Sequence, residues 1–298
     1  DFEDRQAYID IVIVGGGPAG LEAARVCAER GHEVVLFEAA GRLGGQVLLA
    51  GKLDWRRDLL GIVDWLEAEC GRLGVTVRMN HFADRDSVLA EAPDVVFIAT
   101  GGMPHTDWVD GDAKIISSWD VLSGMASLEG DVLVHDQTGR NVALAAVDYL
   151  SLNKANVTLN TQDAAIGMEA MRLEISPFMK RFYERGVAVQ TDHELVGADT
   201  RDNKITATFR NMHTGAMSHR AFDHIVVEAG TLPNDELFYE LDEAAANRGV
   251  IDLDAMRDGR PQPVADRDGY HLYRIGDVAG SRDIHCAILD ALRLCAEI

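Results

Sequence analysis

"IDIVIVGGGPAGLEAARVCAERGHEVVLFE", residues 9–38, decides the fold. Residues 9–14 form a short continuous apolar run, the pattern of a strand buried on both faces of a parallel sheet. A glycine-rich turn follows, then a helical pattern, then the apolar run "HEVVLFE". Strand, turn, helix and strand within about 30 residues make a βαβ unit. Gly15, Gly17 and Gly20 stand at G-x-G-x-x-G spacing between the first strand and the helix. Gly15 permits the tight turn, Gly17 lets the backbone approach a pyrophosphate, and Gly20 lets the helix pack against the strand. The start of the helix then offers free N–H groups and the positive end of its dipole to an anion. Glu38 ends the second strand, 18 residues after Gly20, where a carboxylate can accept hydrogen bonds from both hydroxyls of an adenosine ribose.

Outward from this unit, "GRLGGQ" (41–46) offers two glycines for close backbone approach and the Gln46 amide for a ring edge. "ATGG" (99–102) ends the buried strand "PDVVFI" in a small turn. "IGDVAG" (275–280) puts Asp277 at a strand end, where its carboxylate can accept from a ribityl hydroxyl. The helix expected to start near Asp283 would aim its positive end at a flavin pyrimidine. Each is an ordinary turn when taken singly; in this order and spacing they point to FAD rather than NAD.

A second α/β pattern starts near residue 130. "VLVHDQTGRNVALAAVDYLSLNKANVTLN" (132–160) has a strand, a turn, a helix over about 140–152 and a strand over 156–160. Residues 169–185 read as a helix and 186–230 as a β-meander followed by a buried strand. The fold expected is α/β, with two Rossmann-like three-layer domains, the second inserted in the first. Residues 1–120 and 235–298 would form the FAD- or ADP-binding domain, and 121–234 the inserted one. No repeat of solenoid length is present.

Composition narrows the function classes. A formal charge of −21 argues against a nucleic-acid partner, because phosphates need a basic face. Lysine is confined to positions 52, 114, 154, 180 and 204, a balance that fits a salt-tolerant cytoplasm or simply a GC-rich genome. No apolar run of about 18 residues is present, so no membrane span is expected, and the protein reads as cytoplasmic. Cys27, Cys70, Cys286 and Cys295 contain no CxxC. That argues against zinc, a thioredoxin-reductase-type disulfide and a cysteine-ligated iron–sulfur cluster within this chain; no metal ligand is assigned. The chain begins at Asp1 with no signal-peptide pattern, and reads either as a piece of a longer polypeptide or as a processed one.

The segments "IVIVGGGPAG", "VVLFEAAGRLGGQ", "VVFIATGG" and "YRIGDVAG" together resemble the flavoproteins with two dinucleotide-binding domains. More closely, the chain resembles the C-terminal half of the NADH:flavin oxidoreductase family built on an old-yellow-enzyme barrel. That family includes 2,4-dienoyl-CoA reductase, trimethylamine and histamine dehydrogenases, and N-methyl amino acid demethylases. "IVVEAGTLPNDELFYEL" (225–241) and "SRDIHCAILDALRLC" (281–295) look most like the demethylase branch. The resemblance covers nearly the whole chain. It implies an oxidoreductase whose FMN barrel and 4Fe-4S cluster lie in an N-terminal half outside this sequence, so no catalytic residue is assigned. It implies cofactor contacts from Gly15, Gly17, Pro18, Ala19, Gly20, Glu38, Ala39, Arg42, Gly45, Gln46, Ala99, Thr100, Gly101, Gly276 and Asp277. The cofactor would be FAD, with ADP the alternative, since some amine dehydrogenases of the family hold only ADP there. The partners implied are the chain's own barrel half, an electron-transfer flavoprotein and further copies of the full enzyme.

In the dienoyl-CoA reductases the second domain binds NAD(P)H. Here its turn reads Asp136-Gln137-Thr138-Gly139-Arg140-Asn141, and Gln137, Thr138, Arg140 and Asn141 put side chains where a pyrophosphate needs bare backbone. "NTQD" (160–163) supplies no arginine cluster for a 2′-phosphate, and Asp163 is a loop residue that could meet a ribose. NAD(P)H is therefore not expected, and the chain reads as the electron-transfer part of an amine dehydrogenase or demethylase. A nicotinamide-dependent enoyl reductase module and a non-catalytic ADP-binding module are the alternatives. Cys286 is read as core and His285 as a flavin or interdomain contact, since neighbours on a helix point about 100° apart. Trp55, Arg56 and Arg57 are read as loop packing, as a cofactor cover or as a face toward the barrel half, and Met168, Met171 and Met179 as core.

Overall fold

The structure, a computed structural model, describes residues 8–263 and 267–298. Two compact units divide the chain. The first takes Asp1–Gly51, Trp55–Met103 and Leu232–Ile298; the second takes Lys52–Asp54 and Pro104–Thr231.

The chain begins with β1 (Asp10–Val14), α1 (Pro18–Glu29) and β2 (Glu33–Phe37). A short α2 (Val47–Ala50) and a 3-10 turn (Asp54–Leu59) lead into α3 (Leu60–Leu73). Then come β3 (Thr76–Arg78), α4 (Arg85–Leu89), β4 (Val95–Ile98) and β5 (Gly102–Pro104). The α-helix of this segment begins only at Leu60. No residue of the 3-10 turn is buried, so the apolar stripe that stabilises a helix by packing starts after it.

Next are β6 (Ile116–Ser117), α5 (Ser118–Ser123), β7 (Asp131–Asp136), α6 (Asn141–Leu152) and β8 (Asn156–Thr161). They are followed by α7 (Arg172–Arg185), β9 (Ala188–Gln190), β10 (His193–Arg201), β11 (Lys204–Asn211), β12 (Met217–Phe222) and β13 (His224–Glu228). The return passes through β14 (Thr231–Pro233), α8 (Glu236–Leu241), α9 (Leu253–Asp258), β15 (His271–Arg274) and α10 (Ile284–Cys295).

The first unit is built on a five-stranded sheet in the order β15-β4-β1-β2-β3, all parallel. Strand residues alternate between its two faces. Ile11, Ile13, Leu36, Phe97 and Tyr273 join the core that carries Leu21, Cys27, Val63, Leu66 and Leu294. Val12, Val14, Phe37, Val96, Ile98 and Leu272 join the opposite one, with Phe238, Leu241 and Tyr270. Burial on both faces explains the continuous apolar strands, and each fully buried Leu, Ile or Phe contributes roughly 1.5–3 kcal/mol.

The second unit has its own five-stranded parallel sheet, β6-β13-β7-β8-β9, and a separate antiparallel sheet, β10-β11-β12. The switch into this unit comes at Pro104 rather than after residue 120. The reason lies in packing: Trp108, Val109, Ala113 and Ile115 lie against the core of Leu133, Leu195, Phe209, Phe222 and Ile225. Those residues carry no regular pattern, so sequence periodicity could not assign them to a unit.

Candidate functional site

In each parallel sheet all strands end at one edge, and the turns that follow the strands collect there. In the first unit this edge gathers the Gly15–Gly20 turn after β1, Glu38 after β2, Ala99–Gly101 after β4, and Gly276–Asp277 after β15. These segments lie up to 262 positions apart in the sequence, and the sheet order alone makes them neighbours.

The glycines of the first turn have different jobs. Gly15 has φ +110°, and a Cβ there would stand 2.3 Å from the Ala99 carbonyl oxygen. A Cβ on Gly20 would stand 1.9 Å from the Gly15 oxygen. Both positions are closed by the protein itself. Gly17, by contrast, has nothing within 4 Å of a would-be Cβ, so its bareness answers no need of the fold. It is the N-cap of α1, which has Pro18 in its first turn and no side-chain cap. Gly16 is a further constrained position that the fingerprint does not single out. A Cβ there would meet Leu43 at 2.4 Å and the Glu38 carboxylate at 2.9 Å. The Gly44 N–H also donates to the Gly16 carbonyl at 2.8 Å, which seats the second glycine loop on the first.

Glu38 is held by two backbone donors. Gly16 N–H donates to Oε2 and Ala40 N–H to Oε1, each at 2.7 Å. A carboxylate has about four acceptor sites, so two bonds fix its orientation and leave capacity for hydroxyl donors. The local donor to Glu38 is Ala40, a residue outside the expected set. Ala39, Arg42 and Gly45 are exposed, and a Cβ on Gly45 would lie 3.2 Å from the Gly17 Cα. Gln46 and Asp277 meet: the amide Nε2 donates to Oδ2 at 2.8 Å. Thr100 donates its hydroxyl to the Asn234 carbonyl at 2.6 Å, and the Asn234 N–H returns to Gly101 at 3.1 Å. Gly276, at φ +69°, lies against Ala19 of α1, where a Cβ would meet it at 2.8 Å.

Three expectations need correction. α10 does follow Asp283, but the Asp283 carboxylate accepts from Cys286 N–H at 2.7 Å. The chain thus caps this helix end with its own negative charge, which opposes the role of an open positive dipole. Cys286 is half-buried rather than core, with its thiol pushed up by a bond to Asp283, and His285 beside it is exposed. Met168 and Met171 are 59% and 70% exposed, because the loop before α7 runs over the surface and α7 starts only at Arg172. Trp55 is partly exposed beneath the Arg56 guanidinium, 5.6 Å from the ring centre.

The second unit repeats the strand-end geometry with different chemistry. Asp136, the last residue of β7, is 1% exposed. Its Oδ1 accepts from Thr138 N–H at 2.9 Å, Thr138 hydroxyl at 3.0 Å and Gly139 N–H at 3.0 Å. Its Oδ2 is buried with no hydrogen-bond partner among the described residues. Burial pushes this carboxyl up to about 6, against the pull of the bonds from Thr138 and Gly139. Glu228, level with Asp136 on β13, accepts from the Ser118 hydroxyl and from Gly230 N–H at 3.2 Å. Burial pushes it up to about 7, and Asp136 adds to the rise. His135, fully buried, drops to about 3 for want of solvent and meets the Asn160 amide at 2.6 Å. Asp163 is half-buried near Gly139, whose Cβ would lie 3.4 Å from its Oδ2. Neither Asp136 nor Glu228 was legible as a buried carboxylate, because a strand-end Asp or Glu ordinarily faces water.

Among the described residues, no group of three or more His, Cys, Asp or Glu side chains could hold a metal ion, and no helix is long and apolar enough to cross a membrane.

Two parallel sheets with glycine turns at their strand ends define a two-domain nucleotide-binding α/β protein. The chain belongs to the pyridine nucleotide-disulphide oxidoreductase family, whose model matches residues 9–291. It is 41% identical over 291 residues to a probable N-methylproline demethylase of Rhizobium meliloti, covering 97% of this chain and 43% of that protein. It is 44% identical over 290 residues to a multifunctional alkene reductase/demethylase of Caballeronia cordobensis, covering 96% and 43%. The chain therefore spans less than half the length of these curated relatives. The structure of histamine dehydrogenase from Rhizobium sp. 4-9 superposes with a TM-score of 0.83 over 98% of this chain and 44% of that one, at 23% identity, a likeness of fold. These relatives fit the C-terminal half of the old-yellow-enzyme-type enzymes, the group that the sequence motifs resemble.

Proposed function

We propose that the first unit holds FAD and serves as the electron-transfer part of an amine dehydrogenase or demethylase. The residues present fit the group. Gly17 leaves open space in front of an α1 start that has no side-chain cap, which suits a pyrophosphate. Glu38, fixed by Gly16 and Ala40, suits the ribose hydroxyls. The observation that carries FAD over ADP is the Gln46–Asp277 bond. An ADP site uses the glycine turn and Glu38; it gives no reason for a second polar pair at the end of β15. A flavin does, through its ribityl hydroxyls and ring edge. When bound, FAD supplies two-electron redox chemistry that can also proceed by single electrons. The protein's own part is to orient the cofactor through Gln46 and Asp277 and to leave the backbone at Gly17 open to the ligand, on a turn that Gly15, Gly16 and Gly20 let pack tightly.

The substrate-oxidising centre, with its FMN and 4Fe-4S cluster, would lie outside this chain, in a barrel half that is the first partner. An electron-transfer flavoprotein would then take the electrons, and the full enzyme would be a homo-oligomer. Support comes from the demethylase relative and from the second turn, whose amides are engaged by Asp136. The alkene reductase/demethylase relative favours a second reading, a nicotinamide-dependent reductase module.

Heat denaturation of the purified chain tests the first reading. A yellow supernatant with flavin absorbance is expected; colourless ADP would overturn the FAD assignment. Bleaching of the bound flavin by NADH in a stopped-flow instrument would instead favour the reductase.

A further inference from the structure

We propose that Asp136 is a built-in anion that closes the second unit to the pyrophosphate of a nicotinamide dinucleotide. This rests on the reading above, in which electrons leave by a carrier other than a nicotinamide, and it names the residue responsible.

A phosphate bound at a strand–turn–helix start is held by the turn's backbone N–H groups. In the second unit two of these donors, Thr138 N–H and Gly139 N–H, already converge on Asp136 Oδ1 at 2.9 and 3.0 Å. The Thr138 hydroxyl completes the set at 3.0 Å. The carboxylate comes from the last residue of β7, so the strand itself delivers the charge to the turn. The remaining oxygen, Oδ2, is buried and unpartnered among the described residues, so the negative group is not turned out into solvent. An incoming phosphate would have to displace this carboxylate from its donors and then sit beside it. The surroundings add to the exclusion. Glu228 lies level with Asp136 on the adjoining strand, and Asp163 approaches the same glycine from β8's following loop. Glu174 takes the Asn141 amide at the first position of α6, at 2.8 Å.

The first unit shows the contrast within one molecule. There the carboxylate that the turn binds, Glu38, comes from the neighbouring strand, takes Gly16 N–H and leaves the Gly17 face open. Loss of the extra glycines is thus one part of the change. The other is a charge that occupies the donors which remain.

The test is binding of NADH and NADPH to the whole 298-residue chain by isothermal titration calorimetry, with folding of each variant followed by circular dichroism. The Gly17→Val substitution is present throughout, so that the first turn does not contribute. Asp136→Gly should bind NADH at least about tenfold more tightly than the same chain with Asp136. Asp136→Asn keeps an acceptor for the turn while removing the charge, and should gain about threefold. If Asp136→Gly fails to fold, Asp136→Asn decides the matter. Folded variants that bind NADH as weakly as the Asp136 chain would overturn the gate and leave the flavin reading intact. Micromolar or tighter binding of NADH by the Asp136 chain itself, matching that by Asp136→Gly, would overturn both the gate and the proposed route of electron exit. A missing flavin in the heat-released ligand would overturn the flavin reading alone.

Discussion

The two strand-end turns of this chain, residues 15–20 and 136–141, stand at matching places in two five-stranded parallel sheets. In the first, glycines bring backbone to backbone, a side carboxylate steadies the loop, and Gly17 faces open space. In the second, a buried carboxylate one strand residue away takes the turn's amides for itself. Topology is shared; what differs is whether the donors at the turn are left for a ligand. A fold therefore marks where a nucleotide would sit, and the fate of a few N–H groups decides whether one does.

The comparison breaks most easily at the first turn. Gly20→Val would drive a side chain into the Gly15 carbonyl, and should destabilise the first unit by about 3 kcal/mol or more in urea unfolding. A Cβ at Gly17 meets nothing within 4 Å, and the residue sits at φ −75°, ψ −178°, a conformation that valine adopts readily. The unfolding midpoint of Gly17→Val should shift by no more than about 0.5 kcal/mol, while copurifying ligand is lost. A Gly17→Val chain that still carries ligand would refute the pyrophosphate role.

A smaller effect separates the turns by pH. Asp136 and Glu228 have folded pKa values of about 6 and about 7, above the 3.8 and 4.5 of the unfolded chain. Each contributes stability that is full below its unfolded value and is lost as pH rises through the folded one. His135, depressed to about 3 from 6.5, acts oppositely: the unfolded chain takes up its proton as pH falls below 6.5. Between pH 7 and 5.5 the carboxylates outweigh the histidine, so the second unit should gain on the order of 1 kcal/mol. Asp136→Asn with Glu228→Gln should reverse the sign, with a loss of about 1 kcal/mol over the same window. Amide hydrogen exchange along β7 reads this; an unchanged slope would show that these groups do not titrate with folding.

The mildest change concerns helix starts. Asp283→Ala removes the cap from α10 and should cost about 1 kcal/mol without altering ligand retention, because this end is satisfied by the chain itself. A loss of ligand would show instead that α10 takes part in the site.

Much of this is legible in the sequence. Apolar runs at 9–14, 34–37 and 95–98 gave the strands of the first sheet, and the glycine spacing located the turn. Gln46 and Asp277 were both named from motifs, yet their meeting across 231 positions depends on the sheet order. Gly16 went unnamed because the fingerprint counts only three glycines, whereas the fold forbids a side chain at a fourth. The sequence marks Gln137, Thr138, Arg140 and Asn141 as the side chains in the way and does not single out Asp136. Its grip on the turn follows from full burial, which periodicity does not report. Met168 and Met171 misled for the converse reason: apolar residues in a surface loop look like core until the loop is placed.

The position of β15 carries a consequence for biosynthesis. β4 needs β15 along one edge, pairing Val95 to Ile98 with His271 to Arg274. As the chain leaves the ribosome, β4 emerges early, and its partner follows only after the entire inserted unit has been made. Until then β4 presents an unpaired edge of buried-type residues, the surface most prone to pair with another chain. Nascent chains halted before His271 should aggregate, and those released after Arg274 should not. The insertion that gives the molecule its second turn also sets the interval during which the first sheet is left unfinished.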